Sequence, residues 1–505
     1  MGAAPRRRTP GLSTRRLLVA ILFVAILAMA VRQPADTDTW WHLKSGQLIW
    51  QQAKLLRADP FSHTVAGQPW IDHGWLVQLG LWPLYHALGL AGLAILLALI
   101  VTAAFLLVYL QCAGRPYVAA LATLLAAISS SVIWAVRPQI VSFLLAAGLA
   151  YLLHRYKASR RARWLWPIPL IVVLWVNSHG GFVIAFILMG CYLLGEGLNH
   201  LTRRESGGAP LRPLLLVILV SLPAVLLNPN TWRMIPYAYQ TVSIGALQDF
   251  IQEWAAPDFH NLQLHPFIWL LLLTLAAMGL SHRRADWTDL ALVGLFGYMS
   301  LLAVRNVALF ALVAPPVLTR HAVAALDDLA LTPRLSWLAI FTHTLPPRPP
   351  RRPLALANLL LLAVVILAAG AKIALDLARL DDARVWGRGL PVEAAEYLHE
   401  ADLPGQMFNA YNWGGYLIWT LHPDEPVFVD GRTDLYALNS QVLEDYATVH
   451  WLRPGWQEVL DRYDVGYTLT ERTGLLDLML AQQAGWQRAY QDEIAVIYVR
   501  SGGGP

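Results

Sequence analysis

The chain has 505 residues, 56% of them hydrophobic and only 14% charged, with a mean hydropathy of +0.46. Soluble domains carry about 25% charged residues, so this composition excludes one and describes a polytopic membrane protein. The formal charge of +5 averages a basic part and an acidic part and implies no nucleic-acid partner, and two cysteines, Cys112 and Cys191, exclude a disulfide framework or cysteine metal site.

At the N-terminus Arg6, Arg7, Arg8, Arg15 and Arg16 lead into an apolar run from 16 to 33. Without a convincing small-residue cleavage site, this run reads as a retained signal anchor. The string DTDTWWHLKSG follows at 36 to 46, placing Asp36 and Asp38 where a helix leaving a bilayer meets water. Next, WLVQLGLWPLYHALG from Trp75 to Gly89 is apolar but interrupted by Pro83, and is expected to lie as a helix in the interface. Runs long enough to cross a hydrocarbon core, about 17 to 25 residues per helix, recur at 88–111, 117–136, 139–154, 164–178, 181–198, 212–228, 264–281, 287–303, 305–319 and 355–376. With the first run these predict about 11 spans, some of them short.

Basic residues orient the spans, because Lys and Arg stay on the cytoplasmic side of short loops. Arg115, Arg155, Lys157, Arg160, Arg203, Arg212, Arg283, Arg320 and Arg351 all fall on the side of the N-terminus. A loop from 320 to 353, including the stiff basic stretch PPRPPRRP, is therefore expected in the cytoplasm, against anionic lipid. The first outer loop is expected over 34 to 87. The same parity makes residues 1–377 a transmembrane domain and 378–505 an external α/β domain with arginine but no lysine. In that domain QMFNA, PVFVD, VGYTLT and AVIYVR predict strands at 406–410, 426–430, 465–470 and 495–500, with helices near 391–401, 440–449 and 474–484. Its YNWGGYLIW and VDGRTDLY strings offer aromatics for stacking on sugars, although a glycine turn with an Asp430–Arg432 structural ion pair is slightly favoured.

This topology puts Asp36, Asp38, Arg137, His179, Glu253 and Arg305 on the outer side, at helix ends. Ionisable groups at membrane depth are expensive and usually functional, so convergence on one outward-facing cavity is expected. His42 and His73, in the first outer loop, join the substrate-binding set. Single residues keep simpler roles open. Asp38 fits a helix cap as well as a catalyst, Arg137 and Arg305 fit snorkelling anchors, and His179 fits a turn. Trp40, Trp41 and Trp70 fit an interfacial belt better than a substrate platform. Carboxylates at i and i+2 lie on one side of an extended chain, so Asp36 and Asp38 could share a divalent cation, Mg or Mn, or divide base and cation duties. A carboxylate there can take the proton of an attacking hydroxyl, and arginine can hold a phosphate leaving group by its planar fork. Such parts suit glycosyl transfer from a lipid-linked sugar.

A first membrane helix ending in an acidic pair, an outer loop with interfacial helices and a C-terminal external domain resemble the GT-C superfamily of polyprenyl-phosphate-dependent glycosyltransferases. More closely, DTDTWWHLKSG, RPQIVSFLL, WVNSHGGF, IQEWAAPDF, RNVALFALV and NAYNWGGYLIW resemble a bacterial multi-pass group of that fold. The resemblance implies a hexosyltransferase-type enzyme of the cell envelope, with a polyprenyl-phosphate sugar donor and a glycan, lipid or protein acceptor among membrane lipids. It also implies that Asp36 or Asp38 is the acidic residue acting as base or metal ligand. Thr37 separates the pair, unlike the adjacent pair of O-mannosyltransferases, and no WWD motif occurs, which disfavours asparagine-linked transfer. The rival readings are a lipid or sugar transporter or flippase, which spans nearly free of mid-membrane charge make weaker, and a non-catalytic protein of the same fold.

Overall fold

The computed structural model describes residues 11–33, 36–202, 208–243, 252–342, 350–380 and 389–501. Arg6, Arg7, Arg8, Arg203 and residues 346–349 of the PPRPPRRP stretch lie outside the described residues. Among the described residues before 380, thirteen α-helices longer than four residues, α1 to α13, follow in the order Thr14–Ala30, Asp38–Gln52, Trp75–Gln111, Tyr117–Ser130, Gln139–Ser159, Ile168–Val176, Val183–Leu201, Leu211–Ala224, Met234–Ser243, His265–Leu280, Trp287–Leu302, Val307–Ala330 and Arg352–Ala378. A helix lies over each of the eleven apolar runs, but length and composition alone qualify five to cross a membrane: Trp75–Gln111, Gly180–Leu201, Leu262–Leu280, Val304–Ala330 and Arg352–Ala378.

Local chemistry sets several ends. Ser13 caps α1 by accepting the Arg16 N–H at 3.4 Å, and Asp286 caps α11 through the Asp289 N–H at 3.0 Å. The segment expected to lie in the interface forms the first part of α3 and is divided from the remainder at Gly89, whose φ of 59° a side chain would resist. α12 continues to Ala330, so residues 320–330, expected in a loop, are helical. It is the buried centre of the bundle, packed on α4, α10 and α11. α13 is its opposite: Asn358 is its one buried side chain, and Leu359, Leu360 and Leu367 face outward as lipid contact requires. At the ends expected to face the cytoplasm, Lys157 meets Glu196 at 2.7 Å and Asp286 at 2.8 Å, and Arg320 meets Asp289 at 2.8 Å, joining α5, α7, α11 and α12.

Beyond residue 389 the chain forms a four-stranded sheet in the order β1-β2-β4-β3, with β1 Gln406–Asn409, β2 Val465–Glu471, β3 Trp486–Gln491 and β4 Ala495–Arg500. β1 runs parallel to β2; the other pairs are antiparallel. PVFVD is not a sheet strand. Its Val427 instead bridges the first outer loop, donating to the Phe61 carbonyl and accepting from the His63 N–H, both at 3.1 Å. β3 was missed because WQRAYQ is a largely exposed edge strand without apolar alternation.

The helix Gly414–Leu421 packs on α2. Trp40 is buried there, 5.4 Å from Tyr416 and 6.0 Å from Trp419, and Trp41 packs 5.9 Å from Trp70. The expected interfacial belt is thus an aromatic seam inside the protein. Below it Arg432, 2% exposed, pairs with Asp59 at 2.5 Å and Asp430 at 2.6 Å. Its guanidinium lies 4.9 Å from the Phe61 ring and 4.8 Å from that of Trp70.

Removing one partner of a buried ion pair strands the others without solvent and costs about 3–5 kcal/mol. Arg432→Ala should therefore lower stability by about that amount, measured as unfolding of the detergent-solubilised chain. A loss under about 1 kcal/mol, the worth of an exposed pair, would show that the cluster does not fasten the loop to the C-terminal portion.

Candidate functional site

One cavity of about 990 Å³ opens where the helix ends expected to face outward meet the C-terminal portion. Its polar wall comes from the α1–α2 junction (Asp36, Asp38), the α4–α5 turn (Arg137), the α6–α7 turn (His179), the short turn bearing Glu253 and Trp254, and the α11–α12 turn (Arg305). His42 from α2 and His73 from the first outer loop line it too. All eight residues singled out from sequence thus face one space, drawn together from six segments between Asp36 and Arg305. Val183, Ile184 and Ile187 of α7 and Met299 of α11 supply an apolar wall.

Arg137 organises the acidic side. Its Nε lies 3.4 Å from Asp36 Oδ2, its Nη1 donates to Asp38 Oδ2 at 3.0 Å, and its Nη2 donates to Glu253 Oε2. Burial alone would lower the Arg137 pKa, but Asp36, Glu253 and Asp38 outweigh it and keep the guanidinium charged. Burial would raise the Glu253 pKa, but Arg137 and Arg305 hold it below its usual range. The two aspartates differ. Asp36 Oδ1 accepts the Asp38 N–H at 2.9 Å, so Asp36 secures the start of α2, whereas Asp38 accepts from the Trp41 indole at 3.1 Å and makes no side-chain cap. Burial, reinforced by Asp36, pushes the Asp38 carboxyl up to about 6 despite Arg137.

The histidines are neutral side chains in fixed orientations. His73 Nδ1 accepts the Gly180 N–H at 3.3 Å and His179 Nδ1 accepts the Gly181 N–H at 3.0 Å, which places each ring proton on Nε2. The rings cross at 89° with centroids 5.4 Å apart, and burial depresses both pKa values. His42 is held by Gln78, whose Nε2 is 3.1 Å from His42 Nδ1 and donates to Asp72 Oδ1 at 2.8 Å. Arg305 stacks 4.2 Å over Trp254 and lies 3.8 Å from Glu253; burial lowers its pKa and Glu253 partly restores it.

The cavity is also lined by residues outside that set of eight. Asp72, 6% exposed, accepts the Gly74 N–H at 3.2 Å, and burial pushes its carboxyl up to about 7. Tyr237 of α9 donates to Asp434 at 2.7 Å. Tyr411, Asn412, Gly431, Thr433 and Asp434 bring the YNW and DGRTD strings to the cavity, while Asp430 and Arg432 of the same strings form the buried ion pair. The WIDHGW string around His73 could have pointed to Asp72, an acid beside a histidine in an outer loop. Gly415 and Gly431 allow the C-terminal portion to close on the acidic pair. A Cβ on Gly415 would overlap the Thr37 carbonyl oxygen, and one on Gly431 the Asp38 carboxylate. Among the described residues, no three or more His, Cys, Asp or Glu side chains are grouped to hold a metal ion.

No family model matches the sequence, and neither does any curated protein. Solved structures do match. The archaeal oligosaccharyltransferase AglB from Archaeoglobus fulgidus, in complex with an inhibitory peptide and a dolichol-phosphate, aligns over 96% of this chain and 74% of its own at 14% identity and a TM-score of 0.56. The apo form of the Archaeoglobus fulgidus oligosaccharyltransferase aligns over 91% and 70% at 14% identity, with a TM-score of 0.53. ArnT from Cupriavidus metallidurans in the apo state aligns over 95% of this chain and 97% of its own, at 14% identity and a TM-score of 0.51. These likenesses run nearly end to end through the helices and the C-terminal portion alike: the chain has the GT-C fold of membrane glycosyltransferases.

Proposed function

We propose that the chain is a membrane glycosyltransferase of hexosyltransferase type that moves a sugar from a polyprenyl-phosphate donor to an acceptor on the external face of the cell membrane. The observation that carries this reading is a single cavity combining an acidic pair, cationic and neutral N–H donors and an apolar wall. The lipid tail lies along Val183, Ile184, Ile187 and Met299, and its phosphate meets Arg305 and the Nε2–H groups of His73 and His179. Arg305 suits that role because its contact with Glu253 is long, whereas Arg137 is committed to carboxylates.

Asp38 is the base. The acceptor oxygen attacks the anomeric carbon, the bond from that carbon to the phosphate oxygen breaks, the phosphate leaves with the electron pair, and the acceptor proton passes to Asp38. Its partner Asp36 positions it by fixing the α2 terminus. The acceptor, a glycan, lipid or protein, enters past Tyr411, Asn412, Thr433 and Asp434. Dolichol-phosphate in the archaeal neighbour supports a polyprenyl carrier.

Transfer assayed in proteoliposomes with a panel of polyprenyl-phosphate sugars tests the reading. General-base assistance contributes about 100- to 10,000-fold, so Asp38→Asn should lose activity in that range with unchanged expression and melting. Undiminished transfer would remove Asp38 from the chemistry. A base acts when ionised, so kcat/KM should fall as pH drops below about 6 and level off above it, following the Asp38 carboxyl. A profile flat through that window would oppose the assignment.

Topology has its own measurement. Ser440 is exposed, and the native Cys112 and Cys191 are buried. Ser440→Cys should react with a membrane-impermeant maleimide from the external side in intact cells, and labelling only from the cytoplasm would reverse the arrangement.

A further inference from the structure

Carboxylates clustered on a cavity wall ordinarily suggest a divalent cation, and the spacing of Asp36 and Asp38 raised that expectation. The geometry answers it differently. Asp36 and Asp38 from the α1–α2 junction and Glu253 from a distant turn point at one locus, and each addresses a different nitrogen of Arg137. A guanidinium presents five N–H donors in a rigid plane, so it can serve several carboxylates at once as a spherical ion would. Magnesium and calcium hold oxygens at about 2.0–2.6 Å with six or more ligands, and that shell would need the volume the guanidinium fills. The Arg137 side chain is only 15% exposed, and the surrounding carboxylates hold its charge in place. It also cannot swing away without leaving three acidic groups facing one another in a partly buried pocket.

We propose that Arg137 is the resident cation of this site, a guanidinium standing where a divalent metal would otherwise bind, and that the acidic cluster has no metal of its own. Arg137 is a positioning residue here, aligning Asp38 Oδ2 and binding Glu253, which in turn contacts Arg305. This deepens the proposed glycosyl transfer, yet its central claim concerns ion binding and is measured without any substrate.

The experiment is a titration of the full chain in nanodiscs with Mn²⁺, read by electron paramagnetic resonance. Wild type should show no bound Mn²⁺ that Asp38→Asn removes. Arg137→Ala vacates the guanidinium volume and should gain one bound Mn²⁺ per chain, and the double variant with Asp38→Asn should lose it. A wild-type site for Mn²⁺ that Asp38→Asn abolishes would overturn the proposal, and this comparison needs no Arg137 variant to fold. Arg137→Ala that melts as wild type but gains no Mn²⁺ would overturn it as well. Activity gives a separate readout. If transfer is detected, it should persist in excess chelator; loss on chelation and return with Mn²⁺ would count against a resident guanidinium. Should every donor fail, the glycosyltransferase reading falls while the Mn²⁺ titration still decides the role of Arg137.

Discussion

The cavity of this protein depends on the ion cluster of Arg137 with Asp36, Asp38 and Glu253. Four side chains from three segments of the chain share one locus, and none could be left there alone, because an unpaired charge in a partly buried site costs several kcal/mol. The cluster therefore fixes how the α1–α2 junction, the α4–α5 turn and the turn at Glu253 sit against one another. Arg305 attaches to its margin through Glu253 and Trp254. The same arrangement makes the two aspartates unequal: one oxygen of Asp36 holds the start of α2, and Asp38 accepts from the side chains of Trp41 and Arg137.

The second constraint is close approach. The C-terminal portion does not sit beside the helical bundle as an independent module; it roofs the acidic pair. Gly415 lies against the Thr37 backbone and Gly431 against the Asp38 carboxylate, at separations where no Cβ fits. The buried Arg432, Asp59 and Asp430 cluster and the bridge from Val427 to the first outer loop hold that roof in register. Residues 411–412 and 431–434 consequently reach a cavity whose floor belongs to the helices.

Neutrality on the opposite wall complements charge on this one. His73 and His179 spend their Nδ1 atoms on the consecutive N–H groups of Gly180 and Gly181, so each has one Nε2–H donor. Burial disfavours a second proton on either ring. In the proposed reaction, a cavity wall of neutral donors beside Arg305 would meet the phosphate without adding charges that compete with the carboxylates for Arg137.

Much was legible in the sequence. Apolar periodicity and length located a helix over every expected span, and short strand-like runs located β1, β2 and β4, because burying a face or spanning hydrocarbon constrains residue type locally. The placement of rare charges at helix ends on one side foretold which groups would share a space. What the sequence could not decide were pairings between distant segments: that Arg137 would take three carboxylates, that Asp36 rather than Asp38 would secure α2, and that Trp40 and Trp41 would pack inside a seam instead of meeting headgroups. PVFVD had the composition of a strand but found its partner in a loop more than 350 residues earlier, and exposed β3 carried no pattern at all. Composition and periodicity report what each segment buries; only the tertiary structure decides against what, because a charge or a glycine acquires its role from the group that the rest of the chain brings to it.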